Sequence, residues 1–447
     1  MQIFLLIMKI GGGRLQRFWP GITWGFFLFF FSFLPAAAGA DFPEPVVIVK
    51  LSVEEPANLE LAGPAGLYYE GENGWIPALE GSLPTGKTWL VGVEEGKILL
   101  TTGTGDYITS AFPLLFVPED PEKPVKINGR PYPGKIELRP GSAVSFFNHA
   151  GLEDYVAGVL AGEVYAHWPP AALQAIAVAV RSYTLFNLNR HGEFDFCDQV
   201  HCQKYSGLPQ SPAFISAVAA TRGEILTWED RVINAVYHAS SGGFTRNNED
   251  VWEGKALPYL RGVEDFDQNG EKYYWPESFF FSGEELAGKL GLKGHGALEI
   301  FPVTAGERGF SGLGFRRVKE PGEIVVRYET IRRLLRLPGP NFRFYKVKTD
   351  ELGAAAGRLE ELALGRGMEI DGKVYVEAKV RLALTVEEIR GRTVIGPGEG
   401  VLVIGRGAGH GVGLSQWGAR ALAEKGQGYQ EILRHYYGEK TLIHREY

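Results

Sequence analysis

Between Leu152 and Ala166 the apolar residues Val156, Val159, Leu160 and Val164 form one stripe at helical spacing. That spacing predicts an amphipathic helix. Pro169 and Pro170 stop it and suit the first turn of the next helix. The following segment, PPAALQAIAVAVRSYTLFNLNR, is apolar on most faces, which predicts a central, buried helix running to about residue 190. Ser211 and Pro212 give the cap and first turn of a third helix over 211–222. Upstream, VVIVKLS, TWLVGV and KILLTT are short β-type runs separated by Gly, Pro and Asn, and NGRPYPG reads as a hairpin between VKI and KIEL. Downstream, GEILTW, RVINAVYHA, GEIVVRY and GKVYVEAKVRLALTV read as strands. YETIRRLLRL, LSQWGARALAEKG and YQEILRHYYG read as helices. The fold class expected is α+β: a β-rich module at 41–118, a proline- and charge-rich boundary at 118–124, and a mixed helix and strand domain over 125–440.

The first 40 residues carry Lys9, Arg14 and Arg17 and no acid, then an uncharged run from Phe18 to Ala40 ending in Ala38-Gly39-Ala40. This is the pattern of an export signal. The same run can also serve as an uncleaved anchor with its basic flank in the cytoplasm. Either way the bulk of the chain is expected outside the cytoplasm, secreted or membrane-anchored.

Composition then narrows the chemistry. The 447 residues hold 46 Lys+Arg against 53 Asp+Glu, a net charge of −7, which argues against a general nucleic-acid binder. A 45% hydrophobic content with 22% charged residues is globular composition. Two cysteines exclude a disulfide scaffold. No P-loop and no HExxH is present, and the glycines of GRGAGHGVG lack the βαβ context of a dinucleotide site, so no organic cofactor is expected.

Four features carry candidate chemistry. Glu163 stands near the C-terminal end of the first helix. The helix dipole and aromatic neighbours (Tyr165, Trp168) disfavour its anion, which suits a general acid. The plain alternative is a solvated surface acid. His191, Cys197, His201 and Cys202 lie within twelve residues in the spacing H-x5-C-x3-H-C. They make up a full tetrahedral zinc set, with a Cys197–Cys202 disulfide or free thiols as the alternatives. Ser240 and Ser241, in HASSGGFTRNNEDVW, sit in a hydroxyl-rich loop that can line a sugar groove, with Trp252 and Tyr259 as stacking faces, or form a structural turn. His410 and Gln416 lie in GRGAGHGVGLSQWG, where six glycines suggest either a ligand-facing rim or a packing turn.

In this order the four features resemble the stage II sporulation protein D (SpoIID/LytB) family. The likeness rests on Glu163 followed by WPPAALQAIAVAVRSY, on the SSGG-T stretch with PYL, and on GRG-x-GHGVG-x-SQ-x-GA with an ILxHYY tail. It covers about residues 125–440. The resemblance implies a SpoIID-like peptidoglycan lytic transglycosylase. Such an enzyme cleaves glycan strands stripped of stem peptides and acts in septal wall remodelling during engulfment. It places the catalytic acid on Glu163, the helix arginine on Arg181, and a Tyr-x-Lys pair on Tyr259 and Arg261. Ser240, Ser241, His410 and Gln416 are further substrate-binding candidates. It also implies a structural zinc held by His191, Cys197, His201 and Cys202, as in some members. Partners implied are peptidoglycan glycan strands, a cell-wall amidase and membrane-bound engulfment proteins. Some relatives are described as amidase enhancers, so a non-catalytic wall-binding role is the second reading. The chain departs from the family at Gln174, where a Lys is usual, and at Ile176, where a Gln is. The expectation is that Gln174 and Arg181, two turns apart, face one groove.

Overall fold

The computed structural model describes residues 6–9, 16–18, 43–304, 311–339, 341–349, 367–370, 373–377, 381–384 and 386–445. The apolar run over 19–40, with its Ala38-Gly39-Ala40 cleavage pattern, lies outside the described residues. Among the described residues no helix is long and apolar enough to cross a membrane. Helices and many strands are both present, an α+β fold. The chain divides into two compact units. One holds residues up to His167, then Thr184–Ile225 and the C-terminal residues from His444. The other holds Trp168–Tyr183 and Leu226–Ile443.

The first unit is built on two sheets. One runs in the order Arg130–Tyr132, Val125–Ile127, Ala57–Leu61, Thr88–Glu94, Lys97–Thr101, Tyr107–Ser110, with the short strands Leu6–Lys9 and Gln16–Phe18 at its edge. The other runs Phe196–Cys197, Val46–Leu51, Ser145–Gly151, Lys135–Arg139, Leu114–Pro118, Ala65–Gly71, Gly74–Pro77. Side chains alternate along the strands: Val47, Val49, Leu59, Trp89, Val91, Ile98 and Leu100 are all fully buried, as period two requires. Asn128 and Gly129 both take positive φ and turn Val125–Ile127 back onto Arg130–Tyr132, so the hairpin closes within NGRPYPG, and KIEL, expected as its second strand, pairs instead with Leu114–Pro118 and Ser145–Gly151.

The expected boundary at 118–124 is corrected by the pairing. Val125–Ile127 pairs with Ala57–Leu61, and Lys135–Arg139 pairs with Leu114–Pro118. Strands on both sides of the proline-rich segment therefore share both sheets, and 41–118 is not a separate module. The prolines mark a surface turn inside one unit.

Helix α1 (Leu152–Glu163) leaves strand Ser145–Gly151 directly. Its apolar stripe, Tyr155, Val156, Val159 and Leu160, is fully buried, at about 1.5–3 kcal/mol for each large side chain. It stops where Val164 adopts extended backbone. Helix α2 (Pro170–Phe186) ends four residues earlier than its apolar run suggests. Asn187 bonds back to Thr184, and Asn189 takes φ of 60°, which no helix continues. Helix α3 (Pro212–Ala220) is capped by Ser211, whose side chain accepts the Ala213 N–H.

In the second unit one sheet runs Phe279–Ser282, Glu399–Arg406, Asn341–Lys348, Glu387–Glu388. Another runs Ile324–Arg327, Gly312–Arg317, Leu298–Val303, Thr393–Ile395. Leu286, Ile300, Phe315, Ile331, Val401 and Val403 form its core. The segments 367–370, 373–377 and 381–384 pair as a three-stranded meander, in keeping with the strand pattern of that stretch.

Candidate active site and metal cluster

Glu163 is the last residue of α1 and is partly exposed. Its Oε1 accepts the backbone N–H of Lys204 at 2.9 Å. Two glycines on α1 make that contact possible. A Cβ at Gly162 would lie 2.2 Å from the Lys204 carbonyl oxygen, and one at Gly158 would lie 2.5 Å from the Gly207 carbonyl oxygen. The chain at 204–207 thus rests directly on helix backbone. Ser206 N–H bonds Gly158 O at 3.1 Å. Tyr205 is buried, its ring lies tilted 5.1 Å from that of Tyr155, and it donates its hydroxyl to Asn148 at 2.7 Å. Gln203 bonds Tyr155 and Thr184. Tyr165, expected to enclose the carboxylate, is 46% exposed. The Gly158-x3-Gly162 spacing, small residues at i and i+4, is the sequence signal for this close approach.

The loop leading to Lys204 carries the four expected ligands. Cys197 Sγ and Cys202 Sγ are 3.4 Å apart, far beyond a bonded pair, and both cysteines are free. His191 Nε2 lies 3.1 Å from Cys202 Sγ, and His201 Nδ1 lies 3.4 Å from Cys202 Sγ and 3.7 Å from Cys197 Sγ. All four donor atoms fall within 4.8 Å of one another. Zinc with bonds of about 2.0–2.3 Å sets tetrahedral ligands roughly 3.3–3.8 Å apart, so the donor set fits that ion. Burial pushes the Cys202 thiol up to about 11, so a bound cation is what would hold it as thiolate. Desolvation, followed by the charge of His201, lowers the His191 pKa toward the neutral form that ligates. The loop is fixed at its base. Phe196–Cys197 pairs with Val49–Lys50. Asp195 accepts the Ile48 and Asn189 N–H groups, and Asp198 accepts the Ser52 N–H and hydroxyl.

Of the remaining expected site residues, Arg181, Ser240, Ser241 and Gln416 are buried, and Tyr259, Arg261 and His410 are partly exposed. Arg181 is 0% exposed, so it shares no open groove with the half-buried Gln174. A guanidinium buried this deeply is held by internal partners. Ser240 and Ser241 are 0% and 1% exposed and donate to buried carboxylates, Ser240 to Asp267 and Ser241 to Asp265 at 2.6 Å. Asp265 also accepts the Tyr436 hydroxyl at 2.7 Å. Burial, and then the Asp265 charge, raises the Asp267 pKa. This hydroxyl loop is a structural turn. Gln416 is 3% exposed, at the start of the helix Gln416–Glu424 capped by Ser415.

His410 is partly exposed and accepts the Val412 N–H at Nδ1 (3.1 Å). Desolvation holds it well below the usual histidine range. Its Nδ1 is thus engaged with backbone. Beside it, at 5.4 Å between rings, burial drives the pKa of His238 down to about 4. The glycines around His410 admit the neighbouring loop: a Cβ on Gly407 would meet Ser240 O at 2.6 Å, and one on Gly413 would meet Val236 O at 2.1 Å. The hydroxyl and glycine-rich motifs are two sides of one backbone contact, bridged at Ser240–Ala408 and Tyr237–Leu414. Arg261 is tied to Leu257 O (2.9 Å), Glu249 (2.6 Å) and Asn248 (2.6 Å). Tyr259 is half-buried, 6.3 Å from Trp228, with its phenol pKa raised by burial and its oxygen bonded to the Asn234 backbone.

A profile of the stage II sporulation protein (SpoIID) matches residues 141–228, which contain Glu163, α1 to α3 and the loop of His191, Cys197, His201 and Cys202. Over 406 residues the chain is 27% identical to an uncharacterised protein of Brachyspira hyodysenteriae, covering 89% of this chain and 93% of that one. It is 27% identical over 305 residues to the stage II sporulation protein D of Bacillus amyloliquefaciens, covering 64% of this chain and 72% of that protein. It is 25% identical over 310 residues to the amidase enhancer of Bacillus subtilis, covering 64% of this chain and 40% of that protein. The motif order read from the sequence, the matched domain and these relatives agree: residues 141–228 match a SpoIID domain, and the chain is similar to stage II sporulation protein D over 64% of its length.

Proposed function

We propose that the chain is a peptidoglycan lytic transglycosylase acting outside the cytoplasm, with Glu163 as its acid and base. The supporting observation is the geometry of Glu163: a partly exposed carboxylate at a helix end, oriented by one backbone N–H from Lys204. In this reading protonated Glu163 gives its proton to the glycosidic oxygen between N-acetylmuramic acid and N-acetylglucosamine. As the C1–O bond breaks, the same carboxylate takes the proton of the muramyl C6 hydroxyl. That hydroxyl closes on C1, giving a 1,6-anhydro end and restoring the acid. No water is consumed and no second carboxylate is needed, unlike in a two-carboxylate glycosidase.

His191, Cys197, His201 and Cys202 would hold one zinc ion. A closed four-ligand site supplies folding stability and no open position for substrate. The amidase enhancer relative supports a second reading, a wall-binding protein that stimulates a separate amidase.

Denuded glycan strands incubated with the purified chain separate the two. Anhydro-muramyl ends by mass spectrometry, lost in Glu163→Gln with melting nearly unchanged, are expected. Glutamine can still accept the Lys204 N–H, so the fold is spared. Product formation by the glutamine variant would remove Glu163 as the acid. No product from the parent chain would leave the enhancer reading.

A further inference from the structure

The second unit carries a groove of about 490 Å³ between the short helix Asn248–Val251 and the helix Tyr328–Leu335. Ligand pockets span about 300–1,000 Å³. One wall is Trp252, half-buried, its ring 4.9 Å from that of His410. His410 is itself held by the Val412 N–H at Nδ1, so the indole rests on a fixed support. The other wall presents Thr330 and Arg333, with Val251 and Leu334 as the apolar edge.

The charges in the groove are not equivalent. Glu329 is bound by Arg332, with two contacts of 2.7 Å, and Arg327 faces Glu253 at 3.7 Å and bonds Glu249 O at 3.3 Å. Arg333 is exposed, and among the described residues its guanidinium has no ion-pair or hydrogen-bond partner. A rigid indole face, a hydroxyl and an uncommitted guanidinium in one groove match an acidic sugar. The ring stacks on carbohydrate C–H faces while the guanidinium takes a carboxylate through two parallel bonds.

We propose that this groove is a glycan subsite that selects carboxylate-bearing sugar, with Trp252 as the stacking platform and Arg333 as the carboxylate ligand. The identity of the sugar rests on the transglycosylase reading. The glycan strand offers what the groove needs, a lactyl carboxylate on every second ring. Neither residue lies within the matched domain, so the subsite is a feature of this chain's second unit.

The test uses the full chain with Glu163→Gln, so that bound sugar is not consumed. Calorimetric titration compares a muramic-acid-containing tetrasaccharide with a neutral chitotetraose of equal length. Arg333→Gln should weaken the acidic probe about three- to tenfold, remove most of its salt dependence and leave the neutral probe unchanged. Trp252→Ala should weaken both. Arg333 is exposed, so its variant folds, and melting curves verify both proteins. If Arg333→Gln leaves the acidic probe unaffected, or weakens both probes equally, the carboxylate subsite is overturned. If Trp252→Ala changes neither, the groove binds no sugar. Turnover by the parent chain is scored separately: product formation with unaltered variant binding sinks the subsite alone. Selective acidic-probe binding without any product sinks the catalytic reading alone.

Discussion

Lys204 donates its backbone N–H to Glu163 Oε1 at 2.9 Å, and it stands two residues after Cys202, whose sulfur lies 3.1 Å from His191 Nε2. The four-ligand cluster and the candidate acid are thus joined by a three-residue strut. That strut is clamped on one side by the Gly158 and Gly162 backbone and on the other by Tyr205 in the core. Whatever fixes the loop over 191–202 also fixes the donor that orients Glu163.

Removal of metal is therefore expected to act at a distance. Zinc bound only by the folded chain adds about 4 kcal/mol of stability when free metal exceeds its Kd a thousandfold. Chelation should lower the melting temperature and slow anhydro-muramyl production together, and re-addition of zinc should restore both. Binding should also release protons, because Cys202 is held as a thiol up to about 11 by burial. Elemental analysis without zinc, with a mass two units low for a disulfide, would remove the metal from this account.

Gly162→Ala tests the strut without touching a ligand. Alanine favours helix by about 1 kcal/mol over glycine. Here its Cβ would lie 2.2 Å from the Lys204 carbonyl oxygen, and overpacking of that kind costs about 1–3 kcal/mol. The expected result is a lower melting temperature and a loss of turnover larger than the stability change explains. A variant with unchanged melting and unchanged kinetics would show that the loop does not rest on the helix.

Acid should weaken the second unit through its paired histidines. Burial drives the pKa of His238 down to about 4, with the Val412 carbonyl hydrogen bond opposing that shift, against about 6.5 in the unfolded chain. Between these values the unfolded state binds more protons, so stability is full above about pH 6.5 and falls as pH drops toward 4. The shift corresponds to roughly 3 kcal/mol for a group this buried, and His410 adds in the same direction. His238→Asn keeps a donor for the Val412 carbonyl and removes the titration. Its melting temperature should vary less between pH 4 and 6.5 than that of the parent. Parallel curves would show that His238 is not the group being protonated.

The motif residues explain why such changes report on architecture. Ser240, Ser241 and His410 occur in motifs with the composition of a ligand rim. Yet the serine hydroxyls are bound by Asp267 and Asp265, and His410 Nδ1 takes the Val412 N–H. Hydroxyl and imidazole groups are suited to sugars for the same reason they are suited to buried carboxylates and amides: they donate and accept. Composition cannot tell the two uses apart, because the difference lies in which distant segment arrives. Arg261 is a comparable case, with its guanidinium committed to Glu249 and Asn248.

What the sequence determined by itself is the set of features fixed within a few residues. The stripe of α1, the double proline before α2, the Ser211 cap and the Asn128-Gly129 turn are local, because helical period, φ restriction and side-chain capping act over one to four positions. The crowding of two cysteines and two histidines into twelve residues is also local, so the gathering of these four donors was legible before its geometry was known. Only the tertiary structure decided the rest. It joined strands on both sides of the proline-rich 118–124 into shared sheets, buried Arg181 and Gln416, laid Lys204 on the bare backbone of Gly162, and left Arg333 uncommitted beside Trp252. Each of these depends on contacts between segments tens to hundreds of residues apart. Burial and partner choice are settled by which surfaces meet, and no short window of sequence contains both of them.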